Sequence, residues 1–275
     1  MLDSYADRWA LITGASSGIG TEFARRLAAL GMHLVLTARR ESEMKQLADE
    51  LDTRHGTRCE IIPLDLSVAE NVRILDNRIQ ELDIDIELLV NNAGFGLVGT
   101  FEETDVDRVM ELVRLNIGTL TELSYRLARP MVERKHGAII NVASVAAFQP
   151  VAYMGAYAAS KSYVMHFSEA LWAELKDHGV TVMALCPGVT KTSFFDVAGV
   201  PEWLKSQSSH TPEHVVKTAL KHLEKRRQYV VCGWKNYILS LMTRLATRKI
   251  VVNESRKYFR PKPKKKRKKK GEEKT

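Results

Sequence analysis

Apolar residues in this chain fall in short, nearly unbroken runs, separated by longer stretches where they recur every three or four positions. The runs are Trp9–Thr13, His33–Ala38, Glu60–Leu64, Ile86–Val90, Gly137–Val142, Val180–Leu185 and Tyr229–Cys232. Short runs of this kind, stopped by Gly, Pro, Asn or Ser, predict buried strands. The intervening spacing predicts helices over Thr21–Leu30 (Phe23, Leu27 and Leu30 on one face), Glu41–His55, Val68–Asp83, a long stretch 105–134, about Ala156–Lys176, and Thr211 to near Arg227. Strict alternation of strand and helix implies a parallel sheet covered on both faces. The expected fold class is therefore α/β, a doubly wound parallel sheet of about seven strands. No linker or repeat interrupts it. One domain is expected over 1–228, a strand and amphipathic helix over 229–255 extend it, and 256–275 form a tail.

Composition changes this picture in one place. The formal net charge is +8, but residues 256–275 hold twelve Lys or Arg and two Glu, leaving −2 for residues 1–255. Any anionic partner therefore concerns the tail and not the fold. Cys59, Cys186 and Cys232 are too scattered for a disulfide framework or a zinc cluster, and they fit a reducing, intracellular setting. The first residues lack a basic region followed by an apolar run, so a signal peptide is not expected and a cytoplasmic location is.

Candidate chemistry sits where the strands end. Gly14-Ala15-Ser16-Ser17-Gly18-Ile19-Gly20 lies between the first strand and the first helix. Glycines there allow a sharp turn and close approach of a ligand, and the helix start offers free N–H groups to a pyrophosphate. After the second strand, where a NAD-binding domain usually places a carboxylate, the chain has Ala38-Arg39-Arg40. A guanidinium at that point pairs with a 2′-phosphate, which favours NADPH over NADH. Tyr157 and Lys161 stand four residues apart, on one helix face. A cation beside a phenol eases its proton loss, so the pair is acid–base equipment.

Taken together and in order, four motifs resemble the single-domain branch of the short-chain dehydrogenase/reductase family over about residues 8–225. They are Thr13-Gly14-Ala15-Ser16-Ser17-Gly18-Ile19-Gly20, Asn91-Asn92-Ala93-Gly94, Ser144 thirteen residues before Tyr157, and Tyr157-x-x-x-Lys161. The resemblance implies a Rossmann fold and an NADP(H)-dependent, reversible reduction of a ketone or aldehyde. Tyr157 would be the general acid, Lys161 would lower its pKa and bind ribose hydroxyls, Ser144 would polarise the carbonyl, and Asn116 would hold a proton-relay water. Ser16, Ser17 and Ile19 would line the pyrophosphate turn, Asp65 and Leu66 the adenine, and Asn92, Ala93 and Gly94 the adenosine ribose. Pro187, Gly188, Thr190 and Thr192 would hold the carboxamide; the family often has Val where Thr190 stands. Asp65 also suits the N-cap of the next helix. Family members often pair through the helices corresponding to 105–134 and 156–176, so a dimer or tetramer is expected.

The substrate is less determined. Phe148, Gln149, Tyr153, Met154, Phe194, Phe195 and Trp203 flank the expected pocket, and suggest an apolar or acyl-like carbonyl compound. The ending, Gly233-Trp234-Lys235-Asn236 and an apolar helix to Arg248, is similar to family members grouped with DltE-type and 3-ketoacyl reductases. That helix is too charged and too short for a membrane span and suits packing on the domain, a second subunit or lipid. The tail is expected to be disordered. It fits peripheral attachment to an anionic membrane, or a solubilising role. Nucleic-acid contact is less expected, because no aromatics are interleaved. The rival to an enzyme is an NADPH-binding sensor or scaffold, against which the intact Asn116, Ser144, Tyr157 and Lys161 set argues.

Overall fold

The computed structural model describes residues 5–192 and 209–260. Its elements run β1 (Trp9–Thr13), α1 (Gly18–Ala28), β2 (His33–Ala38), α2 (Glu41–His55), β3 (Cys59–Pro63), α3 (Ala69–Glu81) and β4 (Ile86–Asn91). They continue with α4 (Val106–Val113), α5 (Leu120–Glu133), β5 (Gly137–Val142), α6 (Gly155–Leu175) and β6 (Val180–Cys186). The described chain closes with α7 (Pro212–Glu224), β7 (Tyr229–Val231), α8 (Trp234–Leu245) and α9 (Arg248–Phe259). All seven strands are parallel, in the order β3-β2-β1-β4-β5-β6-β7.

The unbroken apolar strands have a simple cause: each feeds two cores. Ala10, Ile12, Leu34, Leu36, Leu88 and Val90 point to the face covered by α1, α2 and α7. Their neighbours Leu11, Val35 and Leu89 point to the face covered by α3, α5 and α6. A strand buried on both faces has no polar face to alternate with. The order reverses between β1 and β4, and there the two strands' following loops part company, one toward each side. In such sheets the crevice at the carboxyl ends of those strands is the natural ligand site.

A polar seam runs beneath that crevice. Asn91, buried at the end of β4, donates to Asn141 Oδ1 at 2.9 Å and to Ser124 Oγ at 3.1 Å. Asn141 passes the chain on to Ser168 Oγ at 3.0 Å. Satisfied in this way, two helices (α5 and α6) and two strands (β4 and β5) are locked at one depth.

Three expectations are corrected. The stretch 105–134 is not one regular helix: α4 widens into a π-helical segment, Arg114–Thr119, before α5. The helix expected over Trp234–Arg248 breaks, because Ala246 takes an extended conformation, and a separate α9 follows. The boundary placed between 255 and 256 therefore falls inside a helix. Ser255 is buried and accepts a hydrogen bond from the Ala152 N–H (3.1 Å), and four residues on Phe259 reaches the same wall of the protein. The rest of the tail, 261–275, lies outside the described residues, as do Phe194, Phe195 and Trp203.

Candidate active site

The carboxyl ends of the strands enclose a cleft of about 560 Å³. Its floor is the turn after β1. Gly14 and Gly18 have φ of 66° and 59°, a conformation that glycine adopts freely. The Gly14 N–H is donated to the Thr37 carbonyl at 2.8 Å, so β2 fixes the start of the turn. A Cβ on Gly14 would stand 2.9 Å from Asn92 Nδ2, and one on Gly18 2.8 Å from Thr192 Cγ2. α1 begins at Gly18 without a side-chain cap at Ser17, which leaves its first N–H groups facing the cleft. A diphosphate-bearing dinucleotide fits this cradle on both shape and charge.

Asn92 holds the two sides of the crevice together. Its amide donates to the carbonyls of Thr13 (2.9 Å) and Gly14 (3.2 Å), while the Thr13 hydroxyl accepts from the backbone N–H of Asn92 and Ala93. Gly20, expected among the cofactor contacts, does not line the cleft. It packs against the Gly14 carbonyl and the Asn92 amide and shapes the turn from behind. Ser16, Ser17, Ile19, Arg39, Asp65, Leu66, Asn92, Ala93 and Gly94 do line it. Asp65 accepts from the N–H and hydroxyl of Ser67 and lies 3.8 Å from Arg39; it caps this turn, and the N-cap of α3 is Val68. Arg40, named above only beside Arg39, donates to the carbonyl and hydroxyl oxygens of Ser16 at 3.1 and 3.2 Å. Two guanidinium groups thus border this end of the cleft.

At the other end stand Ser144, Tyr157 and Lys161. Ser144 follows β5, where its hydroxyl accepts from the Ala146 N–H at 3.1 Å and caps the short turn Val145–Phe148. Tyr157 and Lys161 project from the first turns of α6 and are 7 % and 5 % exposed. Burial pushes the Tyr157 phenol up to about 12, against the pull of a hydrogen bond with Ser144. Burial likewise brings the Lys161 ammonium down to about 8. The expected lowering of the tyrosine by the lysine is not among the causes that set it: burial raises it and the Ser144 hydrogen bond lowers it. Lys161 Nζ donates to the Val142 carbonyl at 2.8 Å and stands 5.8 Å from the tyrosine ring centroid.

Asn116 is one layer back from the cleft. Its side chain pairs with both backbone groups of Phe95 (3.2 and 3.0 Å), and its Nδ2 also donates to Ser160 Oγ at 3.1 Å. Both amide hydrogens are used, and one acceptor site on Oδ1 remains. The π-helical widening brings this residue against Gly94, where a Cβ would lie 2.8 Å from Oδ1 and 3.6 Å from Lys161 Nζ. Pro187, Gly188, Thr190 and Thr192 close the cleft from β6, and the Thr190 hydroxyl is taken up by the Gly188 carbonyl at 3.0 Å.

Of the expected substrate-side residues, Met154 lines the cleft, whereas Phe148, Gln149 and Tyr153 do not. Phe148 packs on Tyr229 at 6.1 Å, toward β7. Phe95, Leu115, Val145, Ala146 and Phe259 line it instead. Phe95, Leu115, Val145 and Ala146 each lie within two residues of a motif residue (Gly94, Asn116 or Ser144) in the chain; Phe259 sits 102 residues after Tyr157 and reaches the site by packing alone.

Comparison with known proteins accords with this geometry. Residues 8–200 match the family model described as short chain dehydrogenase. The chain belongs to the short-chain dehydrogenase family, a family of oxidoreductases. It is 39% identical over 180 residues to a very-long-chain 3-oxoacyl-CoA reductase of Neurospora crassa, a match covering 63% of this chain and 53% of that protein. It is 32% identical over 188 residues to the human inactive hydroxysteroid dehydrogenase-like protein 1, covering 68% and 57%. These matches span just over half the length of either relative. A solved short-chain dehydrogenase from Sphingobium yanoikuyae in complex with NADPH superposes with a TM-score of 0.78 at 32% identity, covering 82% of this chain and 88% of that one.

The lysine's burial makes a pH-dependent prediction. Below about pH 8 Lys161 is charged in both states and folding bears the full desolvation. Between about 8 and 10.5 the folded chain sheds the proton while the unfolded chain keeps it. The unfolded state then binds more protons, so stability attributable to this site rises with pH. Relative to a Lys161→Met variant, the wild type should gain roughly 1–3 kcal/mol across that window. Urea unfolding of both proteins at its two ends checks this; an unchanged difference would show the ammonium to be solvated.

Proposed function

We propose that this chain is an NADPH-dependent reductase of apolar, acyl-like carbonyl compounds. The observation that carries the reading is the joining of a hydrogen-bonded Ser144–Tyr157 pair and a buried Lys161 to the far end of a glycine cradle, within one cleft. A nicotinamide bound there supplies hydride to the substrate carbon or accepts it in reverse. Tyr157 gives its proton to the carbonyl oxygen, and a phenol held well above neutrality is in the acid form this direction needs. The Ser144 hydroxyl donates to the same oxygen as charge develops on it. Lys161, freed from the Val142 carbonyl, is placed to donate to ribose hydroxyls and to bring a positive charge toward the phenolate left behind. The spare acceptor site on Asn116 suits a water that returns the proton.

Arg39 and Arg40 support the 2′-phosphate preference. The wall of Phe95, Leu115, Val145, Ala146, Met154 and Phe259 supports a hydrocarbon chain next to the carbonyl. The 3-oxoacyl-CoA reductase relative points to the same class, a 3-oxoacyl thioester. Exposed Tyr125 and Tyr163, packed on Phe167 at 5.9 and 5.6 Å along α5 and α6, support pairing of subunits through those helices. A binder without turnover is the competing reading, since a relative named inactive is of similar identity; the intact catalytic set favours the enzyme.

Three outcomes are expected. NADPH consumption should be seen with 3-oxoacyl thioesters in a panel that also holds diketones and steroids, and Tyr157→Phe should cut it on the order of 10²–10⁴-fold with NADPH binding retained. Near-normal turnover in that variant would remove the tyrosine from the mechanism, and no turnover with tight NADPH binding in the wild type would favour the binder. Replacing Arg39 and Arg40 together by Ala should raise the KM for NADPH about tenfold or more and leave NADH nearly unaffected, as measured by steady-state kinetics. Equal losses for both cofactors would place the 2′-phosphate elsewhere. Phe259→Ala should lower kcat/KM about tenfold for long acyl ketones and spare short diketones; the same loss for both would count against an acyl wall.

A further inference from the structure

Helix α8 is built inside out. Trp234, Ile238, Leu241 and Leu245 follow helical spacing, with Tyr237 and Met242 beside them, so the six form one apolar stripe. All six are exposed, Trp234 to 70%, Met242 to 58% and Leu245 to 88%. The face turned to the domain is small and polar instead. Asn236 packs against Gly188 and donates to the Cys232 carbonyl at 2.7 Å, Ser240 is buried, and Thr243 donates to the Ser240 carbonyl. α9 follows suit: Ser255 and Phe259 hold it to the domain, while Ile250, Val252 and Tyr258 are exposed. A surface helix ordinarily turns its apolar stripe inward, and a contiguous exposed patch marks an interaction site.

The surrounding charges say what covers it. From Trp234 to Arg260 the chain holds seven Lys or Arg against one Glu. Lys235, Arg244, Arg248, Lys249, Arg256 and Lys257 border the two helices, and Glu254, the one acid on them, pairs with Lys257 at 2.6 Å. A second copy seated through the same stripe would bring two such cationic sets face to face. An anionic surface has the opposite sign. No helix among the described residues is long and apolar enough to cross a membrane.

We propose that α8 and α9 seat this protein on an anionic lipid surface, the apolar stripe entering the acyl boundary and the Lys and Arg side chains meeting lipid headgroups. The two contributions are individually weak and together sufficient, since stable anchoring takes an apolar and a polybasic element acting at once. The seat adjoins the cleft, because α9 ends on Phe259 in its wall. The inference rests on exposure and charge and is independent of the catalytic reading.

The test is sedimentation of the 275-residue chain with phosphatidylcholine vesicles, with and without phosphatidylserine. Binding is expected with phosphatidylserine and should weaken as salt rises, the screening length being ~8 Å at physiological ionic strength. A triple variant, Leu241→Glu, Met242→Glu and Leu245→Glu, changes exposed residues only. It should keep the wild-type melting profile and lower the partition constant about tenfold or more. Absence of binding to phosphatidylserine vesicles overturns the proposal. So does undiminished binding of the triple variant, which would leave the tail acting alone. Conversion of a dimer to a monomer by that variant in size-exclusion chromatography would make the stripe a subunit interface, and retention on nucleic acid with none on vesicles would assign the charges to another partner.

Discussion

The amide of Asn92, donating to the carbonyls of Thr13 and Gly14, is the joint on which the cleft depends. It closes the seam between β1 and β4, where the sheet order reverses and two loops would otherwise diverge. Both carbonyls lie at the edge of the crevice, where an unmet hydrogen bond is costly. The Thr13 hydroxyl repeats the link from the other strand. With the seam fixed, Gly20 must be a glycine, since its Cβ would fall 2.7 Å from the same amide nitrogen. The glycine motif is thus as much a consequence of this joint as of any ligand.

Burial dominates the chemistry at the opposite end. Tyr157 and Lys161 each titrate away from their ordinary values in the direction that disfavours charge. Lys161 is reconciled with its surroundings by the Val142 carbonyl, and Tyr157 by Ser144. Inside an apolar wall, low polarity disfavours the charged form of each group and strengthens each hydrogen bond it makes. Behind it, Asn116 stiffens the loop after β4 by gripping both backbone groups of Phe95. The π-helical segment is the local irregularity that brings it there, an arrangement often found at functional sites.

The C-terminal helices tie the cleft to the surface. Ser255 fastens α9 to the segment before α6, and Phe259 contributes to the wall near Tyr157. α8, in turn, holds Gly188 in place through Asn236 while it presents its apolar side outward. Residues that line or brace the cleft and residues that expose an apolar stripe therefore share one short stretch of chain.

Much of this was legible in the chain itself. Doubly buried strands leave unbroken apolar runs, so Trp9–Thr13, His33–Ala38 and Gly137–Val142 were located at their observed bounds, and the glycine turn, Asn92, Ser144, Tyr157 and Lys161 follow strands or share a helix face because their spacing is local. What local spacing could not convey is set by contacts between distant elements. The titration of Tyr157 and Lys161 depends on how deeply α6 packs, not on their separation. Arg40 reaches Ser16 and Phe259 reaches the cleft at separations of 24 and 102 positions in the sequence, as measured from Ser16 and Tyr157. Helical periodicity announced that α8 is amphipathic; only the packing of Asn236 and Ser240 against the domain decided that its apolar side faces away from it.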